Sequence, residues 1–176
     1  MSVIWKVDPH HSEVQFKVKH LVISTVTGQF NAFDGTIEAP SEQGFTNAKV
    51  NFSVDAASVD THMKDRDEHL RSPDFFDAAT YPVLSFTSTA FNKKDEDTYE
   101  LIGNLQIKEH TEQVTFHVDL GGVAQDAYGN LKAGFEVRGK ISRKAFGLKW
   151  NSVTEAGAVV VGDEVKMMLN LQFIKQ

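Results

Sequence analysis

The 176-residue sequence predicts an all-β, antiparallel fold. Three observations predict it. Apolar and polar residues alternate with a period of two over most of the chain. The alternating stretches are separated mostly by short, turn-forming sequences such as FDGT, NKKDED, KEHTEQ and VVGDE. Only one long connection, residues 60–82, departs from strand patterning.

Taken in order, a short strand fits Val3–Val7. Residues 12–20 follow, with Val14, Phe16 and Val18 on one face and Glu13, Gln15, Lys17 and Lys19 on the other. A further strand fits residues 25–37, and one at 49–54 turns Val50, Phe52 and Val54 inward. Beyond the long connection, strands fit residues 83–91, 99–108 (Tyr99, Leu101, Gly103, Leu105, Ile107), 114–120 (Val114, Phe116, Val118, Leu120), 132–141 (Ala133, Phe135, Val137, Gly139, Ile141) and 164–173 (Val165, Met167, Leu169, Leu171, Phe173). Eight or nine strands, each with one apolar and one polar face, describe an antiparallel sheet wetted on one side. The pattern is compatible with a sandwich or a barrel. Closure would remove exposed edges, and an eight-stranded barrel can hold one small ligand. Strands like 12–20 would give a wall roughly 30 Å long at about 3.3 Å per residue. Gly103 and Gly139, in mid-strand on the apolar face, mark a bend or the close approach of another group. Residues 1–176 read as one domain, without repeat or linker.

In the long connection, Asp60 or Thr61 is a candidate helix cap and Pro73 a stop. Met63 and Leu70, at helical spacing, face the sheet. SPDFFDA reads as a second short turn with Ser72 as cap, so residues 61–79 form a helical lid. Adjacent Phe75 and Phe76 cannot share one direction: one enters the core and the other sits at a rim.

Composition narrows the function. A net charge of −6 disfavours broad nucleic-acid binding and adsorption to anionic lipid. No apolar run reaches the roughly 20 residues of a spanning helix. The start, MSVIWKVDP, lacks a basic segment followed by an apolar one, so the expected place is the cytoplasm, or the periplasm if a leader was removed. No cysteine is present, which excludes disulfides and thiolate chemistry. Thirteen phenylalanines against three tyrosines favour a dry, oily interior. Among seven histidines, only His69 with Asp65, at i and i+4, could share a metal, and no third ligand is evident. No nucleophile elbow or phosphate-binding glycine loop occurs. No catalytic residue, metal or cofactor is expected.

One stretch is far more specific. DAASVDTHMKDRDEHLRSPDFFDAATYPVLSFTST, residues 55–89, resembles the central signature of the YceI-like, polyisoprenoid-binding family, most clearly in RD-x-HL-x-S-x-DFFDA at 66–78. Residues 5–37 and 141–173 resemble that family's two ends, in the right order. The resemblance implies a lipocalin-like, eight-stranded antiparallel β-barrel with a helical element at one opening. It implies that a polyprenyl phosphate or isoprenoid quinone is bound in an elongated pore, for carriage, storage or sequestration. An enzyme acting on such a lipid in the same pore is the alternative. His62 stands where the family commonly has asparagine, and Ala145 where it commonly has aspartate.

On this reading the bound lipid is the partner, and a homodimer is left open. The expected wall comprises Phe16, Val18, Phe30, Phe52, Phe86, Leu101, Leu105, Phe116, Phe135, Met167 and Leu169, with Met63, Leu70, Phe75 and Phe76 at the lid. Phenylalanine and adaptable methionine suit such a lining. A phosphate head would call on Arg66, His69 and Arg71, with Arg143, Lys144 and Asn151 as further candidates, because guanidinium forks match phosphate. A quinone head needs one or two donors, such as Trp150 or a histidine. For each arginine the competing expectation is a surface ion pair with Asp65, Asp67 or Glu68.

Overall fold

The computed structural model describes residues 2–21, 23–150 and 161–176. Eleven strands are present among them: β1 (Val3–Val7), β2 (Glu13–His20), β3 (Ser24–Phe30), β4 (Phe33–Ala39), β5 (Lys49–Asp55), β6 (Val59–Asp60), β7 (Val83–Lys93), β8 (Thr98–Ile107), β9 (His110–Gln125), β10 (Leu131–Ser142) and β11 (Val161–Lys175). Every pairing is antiparallel. The order β1-β4-β5-β7-β8-β9-β10-β11 returns to β1 through Trp5 opposite Lys175, which closes an eight-stranded barrel.

The inward faces are those the alternation predicts. The strand expected at 25–37, however, is two. Its chain breaks at Asn31–Ala32, so that β3 pairs with β2 and β6 while β4 pairs with β1 and β5. The neighbouring strand breaks at the same level, in the turn at Ala56–Ser58 between β5 and β6. The Asn31 N–H donates to the Ser58 carbonyl at 3.1 Å, tying the two breaks together. A parallel interruption separates β1 from β2. Pro9 cannot donate to a ladder; instead the Ser12 hydroxyl accepts from the Gln172 N–H at 2.9 Å, and the Asp8 N–H donates to the Gln172 carbonyl at 2.7 Å.

Two ends result. At one end Trp5 and Phe45, both fully buried, pack with Phe135 and Phe173 at ring separations of 5.0–5.9 Å and plug the barrel. The buried Trp5 indole N–H finds no acceptor among the described residues. At the other end, the connection between β6 and β7 carries α1 (Lys64–Arg71).

This helix is shorter than the expected 61–79 lid, and its cap differs. Met63, not Asp60 or Thr61, is the cap residue, and it makes no side-chain cap bond. The buried Asp67 carboxylate instead reaches back to accept from the Thr61 N–H (2.8 Å) and hydroxyl (2.6 Å). His62 between them has φ 63°, a left-handed conformation that asparagine adopts more readily than most residues. The helix ends before Pro73, and turns occupy the rest of the segment.

Candidate functional site

Above the plug the barrel does not fill. A cavity of about 600 Å³ runs beneath α1 toward Phe173. Each predicted wall residue borders it: Phe16, Val18, Phe30, Phe52, Phe86, Leu101, Leu105, Phe116, Phe135, Met167 and Leu169. Met63, Arg66, His69, Leu70, Phe75, Phe76 and Trp150 border it at the mouth.

Why it stays open is written in four phenylalanine–glycine contacts. Inward-facing Gly28, Gly35, Gly103 and Gly139 lie beneath the rings of Phe16, Phe52, Phe86 and Phe116 on adjacent strands. A Cβ at any of the four would sit 2.3–2.5 Å from a ring carbon. Each ring therefore lies against the wall, in space that any other residue would occupy, and the lumen keeps its depth. Gly103 and Gly139 thus mark close approach, the second of the two alternatives their position offered.

The mouth is aromatic. His69, Phe75 and Trp150 form a triangle with ring centroids 4.6–5.3 Å apart. The His69 imidazole is held by Asp74, Nε2 to Oδ2 at 2.9 Å, rather than by Asp65. Phe76 turns to the opposite side and meets Phe30 edge-on at 5.7 Å. Both phenylalanines border the cavity, because the turn after α1 folds back: the Phe76 N–H donates to the Leu70 carbonyl and Asp77 takes φ 47°. The two rings point in different directions, Phe75 into the aromatic group at the mouth and Phe76 against the core ring of Phe30.

The basic candidates separate. Arg66 makes none of the expected ion pairs with Asp65, Asp67 or Glu68; its Nε donates to the Thr61 hydroxyl (2.7 Å) and its Nη2 to the Thr61 carbonyl (2.8 Å). Arg143 is buried and donates to four carbonyls, of Gly162 (2.7 Å), Leu148 (2.8 Å), Trp150 (3.2 Å) and Val161 (3.2 Å). Burial pulls its pKa below the usual guanidinium value, against the opposing charge of Asp163. It is a clasp that positions the mouth. Arg71 donates to the Ala57 carbonyl at 3.0 Å and, like Lys144, does not border the cavity. Asn151 lies outside the described residues. Among the described residues no three metal-ligating side chains come together.

Sequence reasoning missed Lys19 and His20 at the rim, and Leu148, which enters from the turn after Gly147. Strand alternation sends Lys19 outward, and no short-range pattern marks Leu148. The wall positions Val14, Val50, Val54, Val118, Val137 and Leu171 share the inward parity of the named residues, so the same signal finds them.

The comparisons with known proteins agree with this geometry. The model of the YceI-like domain matches residues 5–173. The chain belongs to the YceI-like family. It is 37% identical to Protein YceI of Escherichia coli O17:K52:H18, over 98% of this chain and 87% of that protein. The solved structure of Burkholderia cenocepacia BcnA is similar with TM-score 0.79 and 27% identity, covering 94% of this chain and 98% of that one. A polyisoprenoid binding domain from Saccharophagus degradans shares the fold at TM-score 0.71, with 14% identity and 98% coverage of both chains.

Proposed function

We propose that this YceI-like barrel binds one long isoprenoid chain in its cavity, for carriage, storage or sequestration, and does not transform it. The observation that carries the proposal is the phenylalanine-floored lumen, apolar from Trp150 to Phe173. At ~30 Å³ per carbon-sized group, by analogy with a water's share of volume, it has room for roughly 20 such groups, about four isoprene units. Burying a methyl-branched thread gains about 0.8 kcal/mol per CH₂ equivalent, which exceeds the cost of ordering it. The description of the Saccharophagus degradans domain as polyisoprenoid binding is in keeping with this ligand class.

The mouth favours an uncharged ring, as in an isoprenoid quinone, over a phosphate. Arg143 spends four of its five donors on protein carbonyls, and Arg66 two of its five on the Thr61 hydroxyl and carbonyl. The rim also carries Asp65, whose charge opposes a phosphate. The His69–Phe75–Trp150 triangle offers flat faces and edges to a ring instead.

Solvent extraction and mass spectrometry of freshly purified protein test the proposal. The expected result is a co-purifying prenyl lipid, unchanged after incubation with the protein. A lipid chemically altered on incubation would transfer support to the enzyme reading, and ligands without a prenyl chain would remove the isoprenoid.

A further inference from the structure

Net charge conceals how the charges are distributed. The turns at the plugged end carry Asp95, Glu96, Asp97 and Asp126, and α1 and its flanks carry Asp60, Asp65, Glu68, Asp74 and Asp77. The outer face of β10, β11 and β2, below the mouth, is different. There Lys140 stands opposite Lys166, and Lys166 opposite Lys17. Three like charges thus sit side by side on neighbouring strands, where directly opposed Cβ atoms are about 5 Å apart and repulsion is destabilising. Among the described residues none of the three has an ion-pair partner. Lys19 continues the face toward the mouth, donating to the Thr25 hydroxyl at 3.3 Å. Lys144 and Lys149 are exposed on the connection that follows β10. Among the described residues the acids nearby are Glu164, exposed, and Asp163, whose carboxylate accepts from the Ser142 hydroxyl at 2.7 Å and the Lys144 N–H at 3.0 Å.

The hairpin that joins β2 to β3 rises from this same side. His20 pairs with Ser24 at its base, and His20 and Lys19 border the cavity. Beyond that base Ile23 is 88% exposed, and Leu21 takes φ 53° to make the turn. Met63 on the rim is 52% exposed. An isoleucine held out in water at the end of a strand pair gains nothing for the fold. Beside unpaired lysines it has the makeup of a surface that inserts an apolar tip between headgroups and sets cations on phosphates.

From this we infer that the β2–β3 hairpin and the lysine face of β10–β11–β2 dock the barrel on an anionic lipid bilayer, beside the cavity mouth. The occupant follows from the chemistry: a row of cations calls for a dense array of anions, and an adjoining exposed isoleucine calls for hydrocarbon directly beneath them. A nucleic acid supplies the first without the second. Docking stands apart from what the cavity holds. If the cavity carries a prenyl lipid, docking gives that lipid a dry path out of the membrane.

Co-sedimentation with vesicles of phosphatidylcholine, and of phosphatidylcholine mixed with phosphatidylglycerol, tests the inference. The protein is expected to bind the mixed vesicles and to lose binding as salt is raised. Lys17→Gln, Lys140→Gln and Lys166→Gln together should lower that binding about 100-fold, at about five-fold per lysine. Ile23→Asp should lower it separately. All four sites are outward or at a turn, so melting temperature should hold, and the lysine variant should melt no lower than the parent. Cavity content, read by extraction of the same samples, should be unchanged by either variant. The inference is overturned if neither variant alters binding, if both vesicle types bind equally, or if a soluble polyanion is bound and vesicles are not.

Discussion

Replacing Gly139 by alanine sets the open lumen against a filled one. A Cβ at this position would lie 2.3 Å from Phe116 Cδ1 and 2.7 Å from Cε1. Ordinary contact begins at 3.4 Å, so the ring must retreat by about 1 Å or more. Its far side meets Phe86 edge-on, at a centroid distance of 5.6 Å, and both rings border the cavity. If the lumen is open, the ring tilts into free space. The strain is then small, and it is offset by the roughly 0.5–1 kcal/mol that alanine gains over glycine in a strand. Stability should change by less than about 1 kcal/mol, a shift in melting temperature within about 4 °C for a chain of this size. The ligand bears the consequence, because the displaced ring narrows the slot midway along its length. Displacement of a dansyl-tagged farnesyl probe should weaken by about tenfold or more, while far-ultraviolet circular dichroism stays unchanged. A packed interior gives the reverse: overpacking costs about 1–3 kcal/mol, and a narrow slot that never existed cannot be blocked. A clear drop in melting temperature with probe binding intact would refute the reasoning.

Four further outcomes are expected. Arg66→Ala removes two short charge-assisted bonds to Thr61 and should cost about 1–3 kcal/mol, seen as faster amide exchange across residues 61–72; it should weaken quinone- and phosphate-headed prenyl probes equally, and selective loss of the phosphate-headed probe would restore a phosphate clamp. The Ser142 hydroxyl and the Lys144 N–H hold Asp163 below its usual carboxylate pKa, against burial; a depressed folded pKa gives stability that is full above about pH 4 and lost as pH falls through the folded value, so Asp163→Asn should flatten melting temperature against pH below about 4. Trp5→Phe removes an indole N–H that is buried with no acceptor among the described residues, so it should cost less than the 3–5 kcal/mol typical of large aromatic truncation. In that variant Trp150 is the remaining tryptophan, and its emission should shift when a prenyl chain enters the mouth.

The antiparallel walls were legible in the sequence because they are one-sided, whereas their closure into a barrel was implied only by the family resemblance, since a sandwich has the same alternation. Val14, Phe16 and Val18, or Tyr99, Leu101 and Leu105, can alternate only if one face meets an apolar interior, and the inward positions follow from parity. The break at Asn31 was not legible. It answers a break at Ala56–Ser58, about 25 residues away, and neither has a local signature beyond an ordinary polar residue. The lid showed the same limit. Pro73 stopped the helix as a local steric rule requires, but its start was set by Asp67 reaching back to Thr61, a contact that sequence spacing does not single out. At the site, apolar residues were read well and charges poorly. An inward phenylalanine has one use, whereas Arg143 can meet a phosphate, a carboxylate or four carbonyls, and its partners Val161 and Gly162 lie 18 and 19 residues away. The phenylalanine–glycine contacts fall between. Each glycine shares the inward parity of its strand, but only register shows which ring covers it.

An apolar lumen that takes up a methyl-branched thread is the claim on which the rest depends, and chain length tests it most directly. Binding of a series of prenyl alcohols of one to six isoprene units, measured by native mass spectrometry at fixed protein concentration, should strengthen by about tenfold or more per unit up to about four units, each burying several CH₂ equivalents at about 0.8 kcal/mol, and then level off as the cavity fills. Affinity that stays flat along the series, or no binding at any length, would show that the interior has no room for the chain.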